Sequence, residues 1–233
     1  MPESAASTAP SRRDAEARLA RGVKLIESGD LDRALPLVSA EGLAGSPLEL
    51  YARYYTGVAL AGLSRTAEAA TALTDLAART PQGYLSEAGT LALADVLVQQ
   101  GDASGAEDLL ETLSRQKVSD AQAVLLALGG AEEAAGHRDH ALEAYRTIYY
   151  DHPTSSEAAD AQTAIQRLQT ASLVPPDRYA RELARADRLF AAGRWAQARA
   201  AFEPLGRIAP AADRTRIALR LAETDYYLDR HRA

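Results

Sequence analysis

The chain has 233 residues, of which 47% are apolar and 25% charged, so it carries enough apolar material for a large buried core. It contains no cysteine, which excludes disulfides, thiolate metal sites and a cysteine nucleophile. Its net charge of −6 argues against a general affinity for nucleic acid or for anionic membranes. Only two Phe and one Trp accompany the abundant Ala and Leu, and no run of strand formers is long enough to alternate, so an all-α core of close-packed helices is expected.

The first residues, 1–11, are small and polar and predict a disordered leader. They lack the apolar segment of a signal peptide, so export would mean that a signal was removed before this numbering begins. No later stretch approaches the roughly 20 consecutive apolar residues of a membrane span, so no membrane span is expected.

From Arg12 onward, small residues recur in two series that share the same steps of 35, 37, 35 and 57 residues. Two independent positions with identical steps are strong evidence for internal repeats. The first series is Gly22, Gly57, Ala94, Gly129 and Ala186, and the second is Ala34, Ala69, Ala106, Ala141 and Ala198. Turn-forming residues keep the same steps at Gly29, Ser64, Gly101, Gly136 and Gly193.

The clearest unit spans residues 129–153 and predicts a helical hairpin. Gly129 would let a second helix pack closely, and Gly136 would end the first helix in a turn that needs a positive φ. Ala141 is the small residue of the facing helix, Tyr145 fills the space between the helices, and Pro153 stops the second one. This order resembles the tetratricopeptide repeat, whose period is about 34 residues. The resemblance implies a scaffold with a binding groove and no chemistry of its own.

We therefore expect residues 12–233 to form an all-α, tetratricopeptide-like helical-hairpin solenoid of about five repeats plus a terminal helix. The repeats fall at about 15–47, 50–82, 87–118, 122–153 and 179–210. Closing prolines are expected at Pro81, Pro153 and Pro210, with Pro47 one place late.

The step of 57 marks an insertion between the fourth and fifth repeats. Residues 154–157 (TSSE) have the spacing of a capping box and predict a further helix at 155–169. Residues 172–176 (SLVPP) then break that helix. After the fifth repeat, a terminal helix is expected at 213–228, with an apolar stripe of Ile217, Leu221 and Leu228 that lacks a second helix to bury it. We expect on this basis that the native chain continues past Ala233.

About the last 95 residues carry a second, narrower pattern. An aromatic-rich helix ends at Pro-x-Ser, a longer helix follows, and an Arg-Ala-x-x-Leu helix leads to a Gly-Arg-aromatic turn. The residues concerned are Tyr145, Tyr149, Tyr150, Pro153, Ser155, Arg185, Ala186, Leu189, Gly193, Arg194 and Trp195. This pattern resembles the amino-terminal superhelix of bacterial soluble lytic murein transglycosylases. The resemblance implies a periplasmic, non-catalytic region that organises a murein-cleaving, lysozyme-like domain and the glycan strand.

The catalytic half of that family is expected beyond this chain. Its signature is a Glu-Ser pair followed by a Gly-Leu-Met-Gln segment, in which the Glu acts as general acid. Met1 is the only methionine, so the second segment is absent. The pair formed by Glu27 and Ser28 ends the first repeat helix, and we interpret Glu27 as a solvated carboxylate.

No catalytic residue, cofactor or metal is predicted for this chain. His137 and His140 bracket Asp139 in a turn, but a third neutral ligand at suitable spacing is lacking, and structural zinc prefers four ligands. No Gly-rich phosphate loop or Ser-His-Asp order is present. These turn residues are therefore interpreted as solvated.

The candidate binding surface begins with four arginines that recur at steps of three and four, which places them on one face of a helix: Arg178, Arg181, Arg185 and Arg188. From Asp177 on, the chain has 12 arginines against 8 acidic residues, whereas residues 1–176 have 14 basic and 24 acidic residues. The arginine stripe either pairs with Glu157 and Asp160 of the inserted helix or docks an acidic partner or the peptide carboxylates of murein.

Three tyrosines complete this candidate surface. One of Tyr149 and Tyr150 must face outward on a helix, where it would stack on sugar or make a contact between repeats. Tyr54 occupies the groove-facing fifth position of its helix, which is apolar in the other repeats, so the Lys/Asn carboxylate clamp of some tetratricopeptide adaptors is absent. Trp195 and Phe202 are expected in the core of the fifth repeat.

Two functions remain open at this point. One is the non-catalytic superhelix of a lytic transglycosylase, which would contact murein glycan together with an attached catalytic domain. The other is a free-standing adaptor, in the cell envelope or the cytoplasm, that holds a protein or peptide partner in its concave groove. Neither function involves nucleic acid.

Overall fold

The computed structural model describes residues 11–79, 83–168 and 177–230, and in these ranges the chain forms twelve α-helices and no strand. The expected all-α solenoid of helical hairpins is confirmed. The helices are α1 Arg12–Glu27, α2 Leu31–Ala34, α3 Leu48–Gly62, α4 Thr66–Ala77, α5 Tyr84–Gln99, α6 Ala103–Ser114, α7 Ala121–Ala134, α8 Arg138–Asp151, α9 Ala158–Leu168, α10 Arg178–Ala191, α11 Trp195–Ile208 and α12 Ala211–Arg230.

The chain divides into two compact units, an amino-terminal unit of residues 1–135 and a carboxyl-terminal unit of residues 136–233. In the amino-terminal unit, consecutive helices from α3 to α7 pack on one another. In the carboxyl-terminal unit, α8 packs on α9 and α10, and α11 packs between α10 and α12. The division falls in the turn after α7, so the fourth predicted repeat supplies one helix to each unit.

Five turns have the conformation that the sequence pattern predicts. The turn residues all have positive φ, between 60° and 86°, and they are Gly29, Ser64, Gly101, Gly136 and Gly193. After α1, the backbone N–H of Asp30 donates to the carbonyl of Leu25 at 2.8 Å, and after α3 that of Arg65 donates to Leu60 at 2.9 Å. These are the six-to-one bonds of a Schellman cap, which needs a left-handed residue at its centre.

The small residues of the repeat pattern lie where helices approach closely. A Cβ added at Gly57 would lie 2.6 Å from Leu73 Cδ2, and one added at Gly22 would lie 2.6 Å from Val38 Cγ1. Neither distance leaves room for a side chain. The facing alanines have no exposed surface, namely Ala34, Ala69, Ala106, Ala141 and Ala198. Both series therefore hold the helices of each hairpin together by close apolar packing.

The second helix of the first repeat is shorter than the pattern suggests. It consists of the four residues of α2, followed by a single 3₁₀ turn over Leu35–Leu37. Pro36 explains this ending, because it has no N–H to bond to the preceding turn. Pro47, predicted as a closing proline, instead lies directly before the first residue of α3.

The inserted helix is present as α9. It begins after Glu157, whose backbone carbonyl accepts a hydrogen bond from the N–H of Ala161 at 2.9 Å, so Glu157 and not Thr154 takes the position before the helix. Residues 1–10 of the predicted leader, Pro81 and the predicted break at 172–176 lie outside the described residues. Ser11, the last residue of the predicted leader, caps α1 by accepting from the backbone N–H of Asp14 at 3.3 Å.

Part of the predicted apolar stripe of α12 packs on α11. Ile217 is 1% exposed and Leu221 packs against the same core cluster as Phe202 of α11. Leu221 and Leu228 are only partly buried, so the stripe keeps accessible apolar surface. Trp195, expected in the core, is half-buried and stacks on Tyr227 with ring centroids 4.3 Å apart.

Candidate functional site

The carboxyl end of α8 is capped by side chains of α10. The last carbonyl groups of a helix have no partner within the helix itself. Arg185 Nε donates to the Tyr149 carbonyl at 3.2 Å, and Arg188 Nη1 donates to the Tyr150 carbonyl at 3.1 Å. A positive charge is also favourable at the negative end of the helix dipole. Two of the four predicted arginines therefore hold α10 against α8.

The paired tyrosines lie in the same contact. Their rings meet edge to face at 4.9 Å, and the hydroxyls of Tyr149 and Tyr150 donate to the Glu182 carboxylate at 3.3 and 3.5 Å. The Arg185 guanidinium lies 4.1 Å from the centroid of the Tyr149 ring, a cation–π contact. Tyr150 is 6% exposed, whereas Tyr149 keeps part of its surface accessible. Tyr149 is thus the more outward-facing member of the pair.

Both phenols remain protonated at neutral pH. Burial and the neighbouring Glu182 carboxylate raise the pKa of Tyr150 to about 12. Burial is also the largest cause of the raised pKa of Tyr149, which Arg185 partly opposes. A protonated hydroxyl can donate to a carboxylate, so the contact with Glu182 is maintained. The cluster offers no tyrosinate for chemistry at this pH.

Two further ion pairs link the arginine stripe to α8. Arg181 lies 3.4 Å from Glu143, and Arg188 lies 3.0 Å from Asp151. Glu143, Asp151 and part of the stripe are exposed, so each pair contributes at most about 1 kcal/mol. Their main effect is to fix which face of α10 meets α8.

The internal partners predicted for this stripe are wrong. Arg178 lies 4.0 Å from Glu182 on its own helix, and Arg181 lies 3.6 Å from Asp177, directly before that helix. Carboxylates of α8 pair with Arg181 and Arg188 of the stripe. Of the two alternatives, pairing with Glu157 and Asp160 is wrong, because α10 packs on α8, whereas docking of an acidic partner stays a prediction. Sequence spacing identifies the face of a helix but not the neighbour that this face meets.

Beside this contact, α8, α9, α10 and α11 line a groove of about 780 Å³, which we call the α10–α11 groove. One wall is polar and aromatic, and its residues are Tyr149, Gln162, Arg178, Tyr179, Glu182 and Arg185. The other wall belongs to α11 and is mostly apolar, with Gln197, Ala200, Ala201, Pro204, Leu205 and Ile208. Three of the seven predicted surface residues therefore line one groove.

A proline within α11 adds a polar feature to the apolar wall. Pro204 has no N–H, so the carbonyl of Ala200 loses its usual partner one turn later. Both residues are exposed and line the α10–α11 groove. This wall was not predicted, although Pro204 inside a predicted helix was an available signal.

The predicted Tyr54 belongs to the amino-terminal unit and has a different environment. It is half-buried against a leucine-rich cluster that includes Leu73, and burial raises its pKa. Tyr51 and Tyr55 instead line a groove of about 350 Å³ between α1 and α3, together with Leu19, Val23 and Leu48. Tyr54 and Tyr55 are both partly buried, and Tyr51 is the exposed member of the three.

The histidines predicted in a turn lie at the start of α8. His137 precedes the helix, and Asp139 and His140 lie in its first turn. All three are exposed, and the two imidazole rings lie 5.9 Å apart. Glu27, at the end of α1, is exposed as well.

Comparison with protein-family models gives two matches to the tetratricopeptide repeat, over residues 19–84 and 91–156. Together the matches cover more than half of the chain. The chain belongs to the tetratricopeptide repeat family. The matches begin 72 residues apart, which is also the distance from Gly22 to Ala94, in agreement with the two-repeat register.

Tetratricopeptide repeats are non-catalytic scaffolds whose concave surfaces bind protein partners. Comparison with curated proteins gives no match. Among the described helices, none is both long and apolar enough to cross a membrane.

Proposed function

We propose that this chain is a non-catalytic tetratricopeptide scaffold that binds an extended or helical segment of a protein partner in the α10–α11 groove. The observation that carries this proposal is the groove itself. Its volume of about 780 Å³ falls in the range of ligand-binding clefts, and it combines an apolar wall with a few polar groups that could orient a ligand. A peptide needs both features, because side chains supply affinity and backbone groups supply register.

The accessible polar groups suit a peptide backbone. The amides of Gln162 and Gln197 can both donate and accept hydrogen bonds, and the Ala200 carbonyl can accept one. Ile208 is 69% exposed beside them and supplies an apolar contact surface. A peptide bound here would cover this side chain.

Selection of random dodecapeptides on the full chain, followed by fluorescence anisotropy of the enriched peptides, tests the proposal. Ala200 lies in the groove and is exposed, so Ala200→Trp should fill the groove and weaken binding about tenfold or more without unfolding the chain. Ala192, exposed at the end of α10 and outside the groove, provides the matched control Ala192→Trp. Enriched peptides that bind both variants as tightly as the parent would place the site elsewhere, and failure to enrich any binder would contradict the proposal.

A second candidate function follows from the resemblance to lytic transglycosylases. The residues that carry that resemblance include Tyr149, Pro153 and Arg185, and two of these contact each other in the cap of α8. In this form of the proposal the chain is periplasmic, organises a murein-cleaving domain and contacts the glycan strand. The adaptor in the cell envelope or the cytoplasm is the alternative that requires no murein.

Purified murein distinguishes these two forms. The transglycosylase form predicts that the chain co-sediments with purified murein sacculi and that Ala200→Trp weakens this association. In either form the isolated chain should release no anhydro-muropeptides from murein, since the repeat is non-catalytic. Release of such products that Glu27→Gln abolishes would overturn the non-catalytic assignment.

A further inference from the structure

Arg185 brings to the α10–α11 groove a positive charge that no described carboxylate neutralises. The other three arginines of the stripe each lie within 4.0 Å of a carboxylate oxygen. Arg185 instead uses Nε to cap the Tyr149 carbonyl and rests on the Tyr149 ring. In the part of the chain that the structure describes, its two terminal nitrogens have no hydrogen-bond partner. The groove therefore contains two coplanar donors, the terminal nitrogens of Arg185, and the Nε bond of the same side chain holds them in place.

The carboxylate that shares the groove is already engaged. Glu182 accepts hydrogen bonds from the hydroxyls of Tyr149 and Tyr150 and lies 4.0 Å from Arg178. It approaches both tyrosines and Arg178, so it has little freedom to turn toward Arg185. A guanidinium group stays charged at any physiological pH. An incoming anion would meet this charge without displacing an internal ion pair.

We infer that the α10–α11 groove selects an acidic peptide segment. An Asp or Glu carboxylate of this segment accepts hydrogen bonds from both terminal nitrogens of Arg185, and a neighbouring aliphatic side chain packs on Pro204 and Ile208. This inference rests on the proposed scaffold function and names the chemistry of its partner. The two-nitrogen geometry matches the two oxygens of a carboxylate, and such bidentate pairs are among the stronger hydrogen-bonded contacts. The apolar wall of α11 supplies the second contact.

Charge complementarity favours an acidic segment of a protein over a polyanion. Residues from Asp177 on carry 12 arginines against 8 acidic residues, which attracts a moderately acidic partner. The whole chain has a net charge of −6, and Glu182 lines the groove beside Arg185, so a polyanion such as nucleic acid would be repelled. The apolar α11 wall would make no favourable contact with a phosphate backbone, whereas it can bury an aliphatic side chain.

An array of capped dodecapeptides tests the inference directly. Each peptide carries one Glu and one Leu at variable spacing in an Ala/Ser background, and each has a partner with Gln in place of Glu. Acetylated and amidated ends ensure that the Glu side chain is the only carboxylate. For at least one spacing, the parent chain should bind the Glu peptide about tenfold more tightly than its Gln partner, and added salt should reduce this preference.

Three variants of the full chain locate the effect. Arg185→Gln should abolish the preference for Glu peptides. Arg194→Gln makes the same change of charge in the same unit, but at an exposed turn outside the groove, so it should leave the preference unchanged. Ile208→Ser should weaken the Glu and Gln peptides by the same factor, since it removes only the apolar contact. Because Ile208 is 69% exposed, this variant should fold as the parent does, and circular dichroism checks all three.

The possible results distinguish failure of the acidic-segment inference from failure of the proposed scaffold function. Equal binding of Glu and Gln peptides, or equal loss in Arg185→Gln and Arg194→Gln, would overturn the acidic-segment inference. If no array peptide binds, but selected peptides without carboxylates bind and are lost in Ala200→Trp, the scaffold function stands and the inference fails. Binding of soluble murein stem peptides but not of Glu peptides would also overturn it and favour the transglycosylase form.

Discussion

The two units build similar helical hairpins, but among the described residues arginine bridges between helices recur more often in the carboxyl-terminal unit. In the amino-terminal unit, Gly57 lies against Leu73 with no room for a Cβ. In the carboxyl-terminal unit the equivalent small residue is Ala186, and polar bridges join neighbouring helices, such as Arg185 to the Tyr149 carbonyl and Arg199 to Asp225. Small residues and left-handed turns recur in both units, so they set the repeat geometry, while the contacts between helices are free to vary.

This difference has consequences for stability and for binding. Close apolar packing is sensitive to added volume and insensitive to salt. Arginine bridges tolerate changes in volume, but they depend on charge and leave polar atoms near solvent. The unit richer in arginine bridges is also the one whose groove presents a charge that no described carboxylate neutralises. The contacts that hold this unit together thus also provide its candidate binding chemistry.

The largest expected effect is at the glycine contact of the amino-terminal unit. Gly57→Leu should lower the free energy of unfolding by about 3 kcal/mol, because the new side chain must displace Leu73 at a point where even a Cβ would lie 2.6 Å away. Urea unfolding followed by circular dichroism measures this loss. Gly129→Leu should act in the same direction, since Gly129 holds the same place in the repeat and is buried.

Adding a single methyl group at a glycine of the other unit should have the opposite sign. A Cβ added at Gly206 would lie 3.6 Å from Ile217 Cγ2, an ordinary contact distance. Gly206→Ala should therefore stabilise α11 by up to about 1 kcal/mol through helix propensity. A Gly57→Leu protein that melts within a degree or two of the parent would show that the repeat register is wrong.

The second effect concerns a polar exception in the amino-terminal unit. Glu87 is 7% exposed and accepts hydrogen bonds from the backbone and hydroxyl of Ser119, at 2.7 and 2.8 Å, and from the backbone of Asp120 at 3.1 Å. Burial by itself would raise the pKa of this carboxyl, but the three hydrogen bonds hold the pKa below its usual value. Glu87→Gln should lower the unfolding free energy by about 2 kcal/mol at neutral pH.

The pH dependence of this effect has a definite sign. Because the folded pKa of Glu87 is lowered, its contribution is fully present above the unfolded pKa of about 4.3 and is lost as the pH falls through the folded value. The gap between parent and Glu87→Gln should therefore shrink in acid. Glu111→Gln, which removes an exposed pair with Arg115, should cost about 0.5 kcal/mol or less. A gap that stays constant down to pH 2 would contradict this account.

The third effect tests the arginine bridges. Arg185→Met removes a charge-assisted hydrogen bond to the end of α8 and a cation–π contact, and it should cost about 1–2 kcal/mol. Native-state hydrogen exchange should show faster exchange in the carboxyl-terminal unit and no change in the amino-terminal unit. Arg194→Met, at an exposed turn, is the control and should change neither. Uniformly faster exchange in both units would mean that they do not differ in the way proposed.

The sequence predicts the repeats well because their determinants are local. A small residue, a left-handed turn and a facing alanine recur at fixed steps, and these positions decide how the helices of each hairpin approach. The shortening of α2 could have been predicted as well, since Pro36 lies two residues after its last residue, Ala34. The start of α9 differs from the predicted position by three residues and both ends of α12 differ by two, as helix ends often do.

The candidate site was less predictable because it depends on neighbours distant in sequence. The face of α10 was predicted from arginine spacing, but its meeting with α8 depends on packing over more than 30 residues of chain. The wall of α11 was missed because Ala200 and Ile208 carry no recognisable chemistry. Tyr54 was chosen by position within the repeat, although local packing turns it inward and exposes Tyr51.

The smallest expected effect on stability is at the turn after α3, where Ser64 takes the place that glycine holds in the other four turns. Ser64 has φ of 60°, and among the described residues it is the one non-glycine residue with positive φ. A side chain in this region is strained, because Cβ approaches the neighbouring carbonyl. Ser64→Gly should therefore raise the unfolding free energy by about 0.5–1 kcal/mol, even though glycine also increases the entropy of the unfolded chain.

Ser28→Gly is the matched control. Ser28 precedes Gly29 and has a φ of −90°, so the substitution relieves no strain and removes a hydroxyl hydrogen bond to the Leu25 carbonyl at 3.0 Å. Thermal melts should move in opposite directions, and a Ser64→Gly protein that melts below the parent would show that this turn is stabilised by its serine and does not merely tolerate it.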